Sequence, residues 1–277
     1  MSGVLFAIML APAAASAGEL ELIGYVGSVF PFYEQSFEFD PGTLPVPPGI
    51  SVEQEDIFHL DGKGGLALGA GASFQFAPWL GIEGRVDTAD VSVQITGARY
   101  LVTVDLPSPI PDLTNELVLG GGDADLHRLH PVSLNFRART SGHVRLGASA
   151  GISYLPSFDF VTAQRASFKP VSPLPLPGAE ATVTLEAKAL PEDEGEGRLG
   201  WNGGIFAQVG IGERLAVVGE ARYFHFRQQT LTWGVPEIEP SLPVLGEALV
   251  EAITGQLEPV DFNPTFFQLT AGLAVRF

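Results

Sequence analysis

From Gly18 onward the chain repeats one pattern: an apolar or small residue at every second position for about ten residues, then a turn that breaks the phase. Leu20, Leu22, Gly24, Val26, Ser28 and Phe30 share one face of the first segment, and Leu66, Leu68, Ala70, Ala72, Phe74 and Phe76 share one face of the second. The fifth gives Val144, Leu146, Ala148, Ala150, Ile152 and Tyr154. The sixth gives Leu199, Trp201, Gly203, Ile205, Ala207, Val209 and Ile211, and the last gives Phe267, Leu269, Ala271, Leu273, Val275 and Phe277. A period of two puts these residues on one face of a strand and their neighbours on the other. The opposite faces are small, polar or charged: Gly69, Gly71, Ser73 and Gln75; Glu83, Arg85 and Asp87; Asn135, Arg137 and Arg139; Arg145 and Ser149; Glu220 and Arg222; Gln268, Thr270 and Arg276.

Three sites read as tight turns between alternating segments: Ala77-Pro78-Trp79, Thr140-Ser141-Gly142 and Gly212-Glu213-Arg214. Four long Pro-rich or Gly-rich stretches separate the remaining segments, at about 40–58, 105–124, 169–197 and 234–261. Short and long connections therefore alternate, which predicts eight antiparallel strands with both chain ends at the short-turn side. A face of about ten residues at about 3.3 Å each, tilted near 40°, is about 25 Å tall, the height of a barrel's lipid belt. Phe30, Tyr154, Trp201, Tyr223 and Phe267 share the apolar phase at one common depth, and Phe76, Trp79 and Phe277 fall at the other end. Two aromatic girdles bordering an apolar belt predict an all-β, eight-stranded transmembrane barrel. A soluble β-sandwich would instead turn polar residues outward. In strand three the apolar phase shifts between Val86 and Val91, where a bulge or the exit from lipid is expected. Strands three and seven should continue above the belt, through Val91 to Val104 and Phe224 to Trp233.

The ends and the composition narrow the setting. Residues 1–17 are apolar and rich in small residues, and they close on Ala15-Ser16-Ala17, the pattern of a signal-peptidase site. The barrel is accordingly expected over 18–277. After that segment no apolar run reaches the ~18 residues that a membrane helix needs. There is no cysteine, so no disulfide and no thiolate chemistry. The net charge of −17 is unevenly spread: the four long stretches hold most of the acids and only two bases, Lys169 and Lys188, while the framework is nearly balanced. An outer face so acidic argues against nucleic acid as a partner.

Together the phrases Gly69-Ala-Gly-Ala-Ser-Phe-Gln-Phe76, Trp79-Leu-Gly-Ile-Glu-Gly-Arg85, Val218-Gly-Glu-Ala-Arg-Tyr223 and the ending Leu273-Ala-Val-Arg-Phe277 resemble the OmpA-like and OmpX-like small outer-membrane barrels. The resemblance covers strands and turns but not loops. It implies a bacterial outer-membrane location among lipid and lipopolysaccharide, with short periplasmic turns, long extracellular loops and Phe277 as the signal read by the barrel-assembly machinery. Because the chain stops at Phe277, it implies the barrel alone, without a peptidoglycan-binding domain.

An eight-stranded lumen is just wide enough to be filled by side chains. Unpaired charge there is costly, so Glu83, Arg85, Asp87, Arg137, Arg139, Arg145, Glu220, Arg222 and Arg276 are expected to form an ion network, with Arg276 meeting Glu19 or Glu21 at the closing seam. The five histidines, His59, His127, His130, His143 and His225, are scattered; no catalytic set and no metal site is expected from them, and no cofactor. The acidic loops lack EF-hand spacing. Within the fourth loop, Ser241 to Gly255 has the capping and apolar spacing of a helix. Proline runs such as Leu44–Pro48, Leu106–Pro111 and Pro173–Pro177 favour extended polyproline conformations. Three functions follow: a non-enzymatic surface barrel that supports the envelope or binds an extracellular partner through its loops, an OmpW-like conduit for small or apolar solutes, or a lipid-modifying enzyme.

Overall fold

The computed structural model describes residues 18–37, 48–107, 110, 112–119, 122–126, 128–156, 160–170, 181–191, 197–233, 237–238 and 260–277. Residues 1–17, the Ser241–Gly255 segment, most of the three proline runs and His127 lie outside them.

Eight strands close on themselves: β1 (Glu19–Pro31), β2 (Leu66–Ala77), β3 (Leu80–Ala89), β4 (Val132–Arg139), β5 (Val144–Leu155), β6 (Arg198–Ile211), β7 (Leu215–Phe226) and β8 (Phe266–Arg276). Each pairs antiparallel with its sequence neighbour in this set. The ring is completed by β1 on β8, in register from Glu21↔Arg276 to Pro31↔Phe266. Closure leaves no unpaired edge, the condition for placing backbone amides in hydrocarbon. Turns at Pro78–Trp79, 140–143 and 212–214 join β2 to β3, β4 to β5 and β6 to β7. Gly142 and Gly212 take φ of 120° and 76°, which side chains with a Cβ avoid. Phe277 N–H donates to the Leu20 carbonyl at 2.9 Å, so both described ends meet at the short-turn mouth.

Burial alternates as the sequence pattern requires. In β4, Val132, Leu134 and Phe136 are exposed, the last at 67%, while Ser133, Asn135, Arg137 and Arg139 are buried. A surface on which Phe136, Ile152, Leu199 and Ile205 all stand open has to be covered by something apolar.

At the other mouth the wall does not stop. A second sheet runs Val260–Phe262, Gln229–Trp233, Ala181–Pro191, Phe160–Pro170, Gly122–Leu126, Ser92–Thr96, Phe58–Lys63 and Glu34–Phe37. This is the order β8 to β1 repeated, each upper strand continuing the barrel strand below it. A flap stands beside it: Ala98–Val104 pairs with Ile50–Gln54 and with Leu113–Leu119, and Leu113–Leu119 also pairs with Phe160–Pro170. The long connections thus occur where expected, yet much of their length is strand. The reason lies in stretches such as Ala181-Thr-Val-Thr-Leu185 and Ile50-Ser-Val-Glu-Gln54, β-branched and alternating, which proline clusters flank without disrupting. Strand three does not run unbroken to Val104; it ends at Ala89, pauses at Asp90–Val91, and breaks again at Gly97. The upper sheet is also open where the barrel is closed: among the described residues, Glu34–Phe37 and Val260–Phe262 do not pair.

Candidate functional site

The lumen is built by the inward phase of all eight strands, and its side chains form storeys. Nearest the short-turn mouth, Glu19 meets Arg139 at 2.7 Å and Arg145 at 2.8 Å. Glu21, fully buried, accepts from Arg276 Nε at 3.0 Å and Gln208 Nε2 at 2.9 Å, and faces Arg139 at 3.0 Å and Arg137 at 3.6 Å. Adjacent strands at the β1–β8 closure impose the Glu21 and Arg276 approach, since these two residues are register partners. Glu19 lies 3.3 Å from the same guanidinium.

One storey up, Glu83 takes a hydrogen bond from Asn135 at 3.0 Å and lies 2.9 Å from Arg222, 3.3 Å from Arg137 and 3.8 Å from Arg85. Above it, Arg85 bridges two acids: both carboxylate oxygens of Glu220 at 3.0 Å, and Asp87 at 2.8 and 2.6 Å. Arg222 reaches Glu220 at 2.5 Å, Ser149 at 2.6 Å and the side-chain oxygen of Asn202. Tyr25 donates to Asp87 at 2.8 Å and lies under the Arg85 guanidinium, 4.4 Å from it. Arg137 stacks over Phe206 at 4.0 Å.

Six arginines (85, 137, 139, 145, 222 and 276) thus face five acids (19, 21, 83, 87 and 220), and every one of these eleven groups has an opposite charge within 4 Å. Arginine rather than lysine suits this arrangement, because its planar fork reaches two carboxylates from one stem. Toward the far mouth the lumen turns apolar: Phe224, Phe226 and Phe266 are stacked with centroids 4.8 to 6.3 Å apart, and Val29, Leu129 and Leu155 are buried at the same end. At the short-turn mouth a cavity of about 390 Å³ is lined by Glu19, Arg145, Glu213, Arg214, Arg276 and Phe277.

All nine charged positions singled out from the sequence face inward and fall within this one network. Sequence reading passed over Tyr25, Asn202 and Gln208, which cross-link it, and the three phenylalanines of the cap. Tyr25 sits between Gly24 and Val26 in the inward phase, so its position in the alternation was the available signal.

The aromatic residues occupy the outer surface. Phe30 is the register partner of Phe267, and Phe267 of Tyr223, so three strands contribute one lateral row. Trp201 lies 5.3 Å from Tyr223, and Tyr154 is exposed on β5. Phe76, Trp79 and Phe277 are exposed at the opposite end, at 51%, 61% and 70%.

The four described histidines, His59, His130, His143 and His225, do not converge. His59 bonds Ser36 at 2.8 Å in the upper sheet, and His143 is exposed in a short turn. His130 is exposed and bonds Thr88 at 3.2 Å, whereas Ser133 points into the lumen and bonds Ser153 at 2.8 Å. The wall separates that histidine from that serine. Among the described residues no group of three or more His, Asp or Glu gathers at metal-binding distance.

A closed antiparallel ring of eight strands, apolar outside between two aromatic rows and ionic inside, defines a transmembrane β-barrel of the kind that spans bacterial outer membranes. No protein-family signature and no curated protein matches the chain. Among solved structures it is similar to the outer membrane protein OprG from Pseudomonas aeruginosa, at 13% identity and a TM-score of 0.42, over 94% of this chain and 96% of that one. It is also similar to Ail, the attachment invasion locus protein of Yersinia pestis, at 10% identity and a TM-score of 0.32, over 95% of this chain and all of the other.

Proposed function

We propose that this protein is a non-catalytic surface barrel of the bacterial outer membrane, akin to the OmpA-like and OmpX-like barrels, that displays a wall of strands and acidic loops for envelope support or for an extracellular partner. In this reading the lumen network is a structural plug, the aromatic rows hold the barrel at its depth among lipid and lipopolysaccharide, and Phe277 is the residue the assembly machinery reads. The carrying observation is the filled lumen: six arginines interleaved with five acids from Glu19 to Asp87, then the Phe224, Phe226 and Phe266 cap. Such packing opposes an aqueous path, because opening one would strip buried arginines of their acids. The scattered histidines give no support to acyl-transfer chemistry on lipid.

Planar-bilayer recording of the purified full chain tests this. Insertion with a flat current baseline is expected. Stable, reproducible openings by the wild-type barrel would overturn the plug and favour a solute conduit.

A further inference from the structure

The outward positions of the eight strands, from Leu20 to Val275, are apolar, glycine or hydroxyl-bearing with one exception, His225 on β7. An ionisable side chain on the lipid face is expensive and calls for a reason. His225 lies at the far end of β7, two residues past Tyr223, with its ring 5.6 Å from that of Trp201. Its Nδ1 is 3.0 Å from the Thr265 hydroxyl, and Thr265, itself buried, donates to the Asn263 side-chain oxygen at 2.6 Å. That chain fixes the ring, and Nε2 has no partner among the described residues.

Two residues further on, Arg227 is exposed and has no ion-pair or hydrogen-bond partner among the described residues. At this end of the barrel it contrasts with Arg99, which faces Glu116 at 3.8 Å, and with Arg128 on the same rim, held by Asp90 at 2.8 Å. An unpaired guanidinium just above the aromatic row, in a chain of net charge −17, stands at the depth of lipid headgroups.

We propose that His225 and Arg227, above Trp201 and Tyr223, form a site for the phosphate of an outer-leaflet glycolipid, the lipid anchor of lipopolysaccharide. The aromatic pair abuts the acyl region, while the Arg227 guanidinium and the imidazolium form of His225, whose Nδ1–H is held by Thr265 so that Nε2–H points free, donate to phosphate oxygens. The site rests on the outer-membrane reading above, and the test separates the two.

The full chain is inserted into nanodiscs containing an equal mixture of diphosphoryl lipid A and its dephosphorylated counterpart with the same acyl chains. Co-retained lipid is then read by native mass spectrometry. Enrichment of the phosphorylated form is expected, falling about fivefold for each cation removed in Arg227→Gln and in His225→Gln/Arg227→Gln. Arg128→Gln, on the same rim but paired, should keep the enrichment. Equal retention of both lipids by wild type, or undiminished enrichment in Arg227→Gln, would overturn the site. Arg227 lies beyond the end of β7, so its single variant carries the test even if the double variant folds poorly. Failure of the wild type to insert at all would defeat the outer-membrane reading instead.

Discussion

Neutralising Glu83 is the sharpest perturbation of the lumen. Its carboxylate faces three guanidiniums, at 2.9 Å for Arg222, 3.3 Å for Arg137 and 3.8 Å for Arg85, and is almost wholly buried. Glu83→Gln keeps the size and one acceptor oxygen but leaves six arginines against four acids. Removing one partner from a buried ion pair costs about 3–5 kcal/mol. The retained amide oxygen still accepts from Asn135, which places the loss near the lower end of that range. With a urea dependence of about 1–3 kcal/mol per molar, the unfolding midpoint should fall by about 1–3 M. Tryptophan fluorescence of the refolded barrel in detergent or lipid reports the transition. Asp90→Asn breaks the exposed Arg128 pair and should cost no more than about 1 kcal/mol. Glu83→Gln/Arg137→Met should recover part of the loss, since Arg222 keeps Glu220 at 2.5 Å and Arg85 keeps Asp87 at 2.6 Å, whereas Arg137 is left with Glu21 at 3.6 Å as its acid among the described residues. If Glu83→Gln shifts the midpoint no further than Asp90→Asn, the network does not hold the barrel together and the argument for a plug fails with it.

Other consequences can be measured directly. A Cβ at Gly147 would lie 2.3 Å from the Phe206 ring and 2.4 Å from the Ala138 carbonyl, so Gly147→Val should cost about 1–3 kcal/mol by overpacking, seen as an earlier heat-induced gel shift. Phe277 is 70% exposed and outside the ion network, so Phe277→Ser should reduce the amount assembled in cells while leaving refolding from urea in detergent unchanged; a parallel loss in both would refute the assembly role. In the upper flap, burial pushes the Tyr100 phenol from 10.0 up to about 12. The neutral phenol is therefore favoured by folding: its contribution is intact below pH 10 and is lost as pH rises toward 12. Absorbance at 295 nm should show a tyrosine ionisation step near pH 12 that is absent in Tyr100→Phe.

Barrel strands were legible because two solvents, lipid and lumen, impose opposite demands on alternate residues, and the sequence satisfies both. The turns at Pro78, Gly142 and Gly212 were legible for a local reason, proline geometry and positive φ. The charged lumen residues could be picked out singly, but which acid meets which arginine depends on the stagger between strands, a property of the closed ring that no one segment encodes. The upper wall was harder to see. Its strands sit among prolines and acids, and pairings such as Ala181–Pro191 with Gln229–Trp233 arise only when two distant alternating stretches are brought abreast by the barrel beneath them. The cap of Phe224, Phe226 and Phe266 was hidden for a third reason: where both faces of a strand are apolar, alternation loses its contrast.

The union of the first strand with the last has a temporal corollary. Glu21 and Arg276 touch across 255 positions of sequence, and between them lies every other strand of the ring. No nascent or truncated piece can therefore be a smaller version of the finished object; until its final segment arrives the chain has two exposed borders and nowhere to hide them. Ring closure therefore waits for the last strand, and until it pairs with the first both borders need cover.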